Sequence, residues 1–237
     1  VVIDPGHGGI DEGTVFENKK NRVTEKALTL LLARQVAQEL KAKKISVTLT
    51  RNDDREVPLG ERTALANRMG ADLFLSIHIN SAKTDAQGIE TFILNNTTDE
   101  SSRRLAQLEN TVLASDDLSQ ENVDLALILR DLKLDANLSE SKRLACTIQN
   151  HLVARISKGT HPLKNRGIKQ ALFHVLLGAE MPSALVEAGF LSHSNDRSFM
   201  ISTMGQKAIG TAIASAIDQF RRQKGSPKNQ NLFKICE

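Results

Sequence analysis

Short β-branched runs alternate with helix-length apolar stripes through the first 94 residues, which restricts the chain to a sheet with helices packed against it. Val1 to Ile3 reads as a strand, ended by the turn-forming run Asp4-Pro5-Gly6-His7-Gly8-Gly9. Residues 24–42 read as a helix, because Leu28, Leu32, Val36 and Leu40 stack at i, i+4 spacing. The pattern then predicts a strand over 45–50, a helix over 59–69 stopped by Gly70, and strands over 73–79 and 88–94.

Regular alternation stops at residue 95. From there to about 137 the sequence is polar, acidic in patches, and contains two helix-like runs, 101–114 and 122–134. A helix is expected over 139–157, strands over 170–177 and 183–187, and a last helix over about 203–222. Residues 223–237 read as a basic, flexible tail. The expected architecture is α/β: one domain over 1–222 with a mixed, largely parallel central sheet and helices on both faces. An inserted helical segment occupies about 95–137. A chain of 237 residues is ample for one such core.

Composition narrows the partners. There are eight Phe but no Trp or Tyr, so the chain lacks the aromatic platform on which single-stranded nucleic acid stacks. A net charge of +3, with no recognition motif, gives no reason to expect a nucleic-acid partner. No apolar run approaches the roughly 20 residues needed to span a membrane. No signal peptide is present, and the chain opens directly on a strand, as a mature or trimmed domain would. Cys146 and Cys236 are the only cysteines. They could pair in an exported protein, or Cys146 could be buried on a helix with Cys236 loose in the tail; spacing leaves both open.

Polar residues fall at informative places. His7 follows the first strand, His78 sits near the end of the strand 73–79, and Glu187 closes the strand 183–187. Sites in open α/β sheets form outside the carboxyl ends of strands. Alternation puts His78 on one face with Phe74, Ser76 and Asn80, opposite Leu73, Leu75, Ile77 and Ile79. Glu25 opens the helix 24–42 on the same stripe as Leu28, Leu32 and Val36, where a carboxylate is costly unless paired or bound to a metal. Each of these residues has an ordinary structural reading alone: a helix-dipole Glu, a loop His, a satisfied core His. Those readings must hold at every position at once. Two imidazoles and a carboxylate make a three-ligand zinc site with one open position, whereas calcium and magnesium prefer all-oxygen shells. With Glu187 as general base, the set supports hydrolysis of an amide.

The runs Asp4-Pro5-Gly6-His7-Gly8-Gly9, then Glu25, then Ser76-Ile77-His78-Ile79-Asn80, then Pro182-Ser183-Ala184-Leu185-Val186-Glu187-Ala188-Gly189-Phe190-Leu191-Ser192 resemble the bacterial zinc-dependent N-acetylmuramoyl-L-alanine amidases. They occur in family order and span Val1 to about Phe220. The resemblance implies Zn2+ on His7, Glu25 and His78, with Glu187 catalytic. It also implies peptidoglycan as substrate, cut between the lactyl group of N-acetylmuramic acid and L-alanine. His193 stands where the family usually has Asn and reads as a surface turn; His151, His161 and His174 read as structural. A zinc peptidase cutting inside the stem would use the same chemistry, and a wall-binding module with a dead site would be expected to lose Glu187.

Segment 95–137 resembles the regulatory insertion of periplasmic cell-separation amidases, which occludes the site until a LytM-fold activator displaces it. That resemblance implies an exported, periplasmic, autoinhibited monomer acting in cell-wall remodelling and daughter-cell separation. In the run 101–114, Glu109 lies within the stripe of Leu105, Leu108 and Val112, which suggests it as an inhibitory fourth metal ligand. The alternative is an amphipathic helix whose Glu109 reaches solvent at the stripe's edge. The second run, with Val123, Leu125, Ile128, Leu129 and Leu132, suits either core packing or an activator.

Overall fold

The computed structural model describes residues 1–111, 120–156 and 163–223, with 120–136 described by backbone alone. Six strands form the main sheet: β1 (Val2–Pro5), β4 (Thr48–Leu49), β5 (Phe74–Asn80), β6 (Ile89–Leu94), β7 (Asn165–Ala171) and β8 (Ser183–Phe190). A separate antiparallel hairpin joins β2 (Val15–Glu17) to β3 (Arg22–Thr24). The helices are α1 (Glu25–Ala42), α2 (Leu59–Arg68), α3 (Glu100–Asn110), α4 (Gln120–Ile156), α5 (Ser194–Ile201) and α6 (Thr203–Arg222).

The main sheet runs β4-β1-β5-β8-β6-β7. Every neighbouring pair is parallel except β6 with β8. The sheet is thus mixed and largely parallel, as expected from the alternation. Its two faces follow the period of two along each strand. Ile3, Leu75, Ile77, Ala184 and Val186 face a core shared with α1, α4 and α6. Val2, Phe74, Phe92 and Leu185 face a smaller core closed by α2, α3 and a 3-10 turn over His174–Leu176. Burying each large apolar side chain contributes about 1.5–3 kcal/mol, so the first cluster dominates the fold's stability.

Several elements differ from the sequence expectation. The runs 122–134 and 139–157 belong to the single helix α4, so no boundary falls at 137. Asn137 and Ser139 are poor helix formers, but neither breaks a helix as Pro would. Packing of Leu144, Ile148, Leu152 and Ile156 carries the C-terminal half. The strand expected over 170–177 begins earlier, at Asn165, and ends in the 3-10 turn, its polar composition reflecting a half-buried edge. At the opposite edge, the strand expected over 45–50 is reduced to β4. The side chains of Val112, Val123, Leu125, Ile128, Leu129 and Leu132, together with His161, Cys236 and tail residues 224–237, lie outside the described residues. Cys146 is buried on α4 and disulfide-bonded.

Candidate metal centre and active site

The site begins with the backbone of residues 5–7. Two fully buried arginines clamp its carbonyls: Arg51 Nη2 donates to Gly6 O at 2.7 Å, and Arg62 donates to Pro5 O at 2.9 Å and His7 O at 3.1 Å. Arg62 is anchored in turn by buried Asp4 at 3.0 Å. His7 is thereby held at a φ of 61°, a left-handed conformation uncommon for a residue with a side chain. Gly6 cannot be larger, because an added Cβ would lie 2.6 Å from the His78 ring.

His7 Nδ1 bonds Asp11 Oδ2 at 2.7 Å, which orients the ring and turns Nε2 toward the other site residues. Glu25 does not cap its own helix. Its Oε2 accepts from the Thr14 N–H at 2.9 Å and its Oε1 from the Ile79 N–H at 2.8 Å, so the carboxylate bridges the hairpin and β5. Oε1 also lies 3.0 Å from His7 Nε2 and 3.1 Å from His78 Nδ1. Glu109 arrives from α3, its Oε2 3.2 Å from His7 Nε2 and 3.0 Å from His78 Nδ1. One ligand atom from each of His7, Glu25, His78 and Glu109 falls within 4.8 Å of all the others.

Glu109 therefore turns inward toward the two imidazoles, its side chain only 14% exposed. Leu105 and Ala106 are buried beneath α3, Leu108 is exposed, and Asn110 clasps the far wall. Asn110 Nδ2 donates to Leu172 O, and its Oδ1 accepts the His174 N–H, each at 2.8 Å.

Burial alone would lower the pKa of both imidazoles, yet each is raised. For His7 the cause is Glu25, then Asp11 and Glu109. For His78 it is chiefly Glu109, with help from Glu25, and the value rises to about 10. Burial pushes Glu25 up, but His7 and His78 outweigh it and hold the carboxyl below its ordinary range. Glu109 likewise falls despite burial, through His78 and His7. The carboxylates of Glu25 and Glu109 thus favour positive charge at the point where the two imidazoles meet. His7 Nε2 and Glu109 Oε2 are close but form no well-directed hydrogen bond with each other. Donors to a shared ion have that relation; a donor and its acceptor do not. Two imidazole nitrogens and carboxylate oxygens in a buried cluster fit zinc.

Glu187 stands beside this group. It is in parallel register with His78 on β5 and in antiparallel register with Glu90 on β6, so Glu90, Glu187 and His78 form one row across the sheet. Neither oxygen of this fully buried carboxyl has a hydrogen-bond partner among the described residues. Burial raises its pKa well above the ordinary carboxylate range, overcoming the pull of His78, and Glu109, Glu25 and Glu90 push the same way. A carboxyl so placed can take up a proton and release it again.

The other described histidines, His151, His174 and His193, stay apart from the cluster. His193 caps α5 and is mostly buried, where a surface turn was expected; its Nδ1 accepts from the Asp196 N–H at 3.5 Å. His151 bonds Gln219 at 2.7 Å, and His174 lies in the 3-10 turn. Sequence reasoning missed Asp11, Arg51 and Arg62. Asp11 had a usable signal, since a ligating imidazole commonly leans on a carboxylate and this one lies four residues away. The two arginines had none, because long cations read as surface residues until their carbonyl partners are known.

A family model described as N-acetylmuramoyl-L-alanine amidase matches residues 1–219. The chain is 32% identical over 220 residues to N-acetylmuramoyl-L-alanine amidase AmiA of Escherichia coli (strain K12), covering 92% of this chain and 74% of that protein. It is 31% identical to N-acetylmuramoyl-L-alanine amidase AmiC of Neisseria meningitidis serogroup B, spanning 93% of this chain and 52% of that longer one. Among solved structures, N-acetylmuramoyl-L-alanine amidase from Clostridium difficile 630 superposes with a TM-score of 0.70 at 31% identity, covering 94% of this chain and 97% of that one.

Proposed function

This chain belongs to the N-acetylmuramoyl-L-alanine amidase family and is a peptidoglycan amidase, and we propose that it works at a zinc centre held by His7, Glu25 and His78 with Glu187 as general base. The observation that carries this reading is the convergence of those three side chains, from three separate elements, on one buried point. Zinc there would supply a Lewis acid for the scissile carbonyl and a water of lowered pKa. The protein's own part is acid–base work and orientation. Glu187 accepts the proton of the attacking water on its carboxylate and delivers it to the departing L-alanine amine. Asp11 keeps His7 in one tautomer and orientation, and the N–H groups of Thr14 and Ile79 fix Glu25.

Metal analysis tests the centre. The purified chain is expected to carry one zinc per molecule, and His78→Ala less than a tenth of that at equal protein concentration. Full zinc content in His78→Ala would remove this residue from the ligand set.

Glu109 and α3 support a second element of the reading, that the chain is autoinhibited. Glu109 takes the position next to both imidazoles that water and substrate need, while Asn110 and the buried Leu105 hold α3 down. Glu109→Ala is expected to raise basal release of stems from sacculi about tenfold or more, since a 1.4 kcal/mol bias toward the open state already gives that factor. Equal release by wild type and variant would count against the block. In this reading the protein is exported to the periplasm, acts in daughter-cell separation, and is released by a LytM-fold activator that draws α3 away. These last points rest on the family resemblance alone.

A further inference from the structure

A cavity of about 570 Å3 opens beside the metal centre, between α3 and the β6–β7 edge. Four cationic residues line it, Lys83, Arg104, Arg166 and Lys169, against the single acid Glu90. Glu90 is buried, and both Arg166 Nε and Lys169 Nζ lie 2.8 Å from its Oε2, while its Oε1 accepts from Asn80 Nδ2 at 2.8 Å. One buried carboxylate thus fixes two cations and neutralises only one of them. Among the described residues Arg166 donates through Nε alone, so its terminal Nη1 and Nη2 remain for a ligand. Ring contacts steady both heads: the Arg166 guanidinium lies 5.1 Å from the Phe190 ring centre, and Lys169 Nζ 5.8 Å from that of Phe92.

The cluster's place relative to the chemistry is set by register. Glu90 is the direct neighbour of Glu187, and Asn80 lies two residues beyond His78 on the same face. A ligand group seated there belongs to a part of the substrate close to the scissile amide. The sugar side of that amide is uncharged, whereas the peptide side carries carboxylates. A guanidinium fork beside an ammonium is the arrangement that binds a carboxylate.

We propose that Arg166 and Lys169, positioned by Glu90, form a subsite for the free α-carboxylate of the stem peptide's second residue, making the enzyme selective for acidic over amidated stems. The proposal rests on the amidase reading above. It is tested with three soluble muramoyl-peptides: one with all stem carboxylates free, one amidated at the second residue's α-carboxyl, and one amidated only at the stem's C-terminus. Hydrolysis is followed for the wild type, Glu109→Ala, and Arg166→Gln and Lys169→Gln in the Glu109→Ala background. A tenfold or greater preference in kcat/KM for a free second-residue carboxylate, expressed in KM, is expected. Either Gln variant should reduce it to within about threefold, and Arg166→Lys should restore part of it.

Equal rates on the first two substrates overturn the subsite. So does a preference that follows the C-terminal carboxylate, or variants that lose all three substrates equally with the preference intact. Hydrolysis of none of them, by either the wild type or Glu109→Ala, refutes instead the amidase reading on which the subsite depends.

Discussion

Glu187→Gln is expected to lower turnover on purified sacculi by about 10²–10⁴-fold while the chain keeps its full zinc content. The amide matches the carboxyl in shape, so the buried interior of β8 around it repacks little. It cannot accept and return a proton. The stability readout separates this from structural damage. Neither Glu187 oxygen has a hydrogen-bond partner among the described residues, and burial already disfavours its charged form. Replacing a buried acid that has no hydrogen-bond partner among the described residues with a neutral group is expected to leave the melting temperature unchanged or higher. Release of stems within tenfold of wild type would place the base elsewhere.

Asp4→Ala is expected to destabilise the fold by about 3–5 kcal/mol in urea unfolding at pH 7, because it strands a buried guanidinium. Asp4 is fully buried, accepts from Arg62 at 3.0 Å and from Ser76 Oγ at 2.7 Å, and also binds Thr50 Oγ1. A loss of that size is a large share of a typical total of about 5–15 kcal/mol. The pH dependence has a defined sign. Burial pushes Asp4 up, yet Arg62, Thr50 and Ser76 outweigh it and hold the folded carboxyl below its ordinary 3.8. Its contribution is therefore complete above the unfolded value and is lost as pH falls through the lower, folded one. Stability equal to wild type in Asp4→Ala at pH 7 would show that Arg62 finds another partner. Because Arg62 also holds the His7 carbonyl, the variant should bind zinc more weakly as well.

His78 was legible because strand alternation is local: Phe74, Ser76, His78 and Asn80 share a face whatever surrounds them. Glu25 was legible for the same kind of reason, as an acid on an apolar helical stripe. The rest required pairings between distant segments. Nothing within residues 88–94 states that β6 runs opposite to β8, since a fully buried strand reads alike in either direction. The inward turn of Glu109 depends on Leu105 joining Phe92 and Phe173 in one buried cluster, a pairing of distant segments that the local pattern of 101–114 does not encode. The hairpin β2–β3 was too short and too exposed to leave a periodic trace, though it brings Thr14 to Glu25.

The reversal of β6 divides responsibilities within one sheet. The strands β1, β5 and β8, all pointing the same way, bring up His7, His78 and Glu187. The reversed pair β6 and β7 brings Glu90, Arg166 and Lys169 to the same rim, Glu90 from near the start of its strand. On the roles proposed above, mutations that retune which wall chemistry is accepted can accumulate on β6 and β7 while β1, β5 and β8 drift little. Related enzymes adapted to differently decorated walls would be expected to diverge first along that edge.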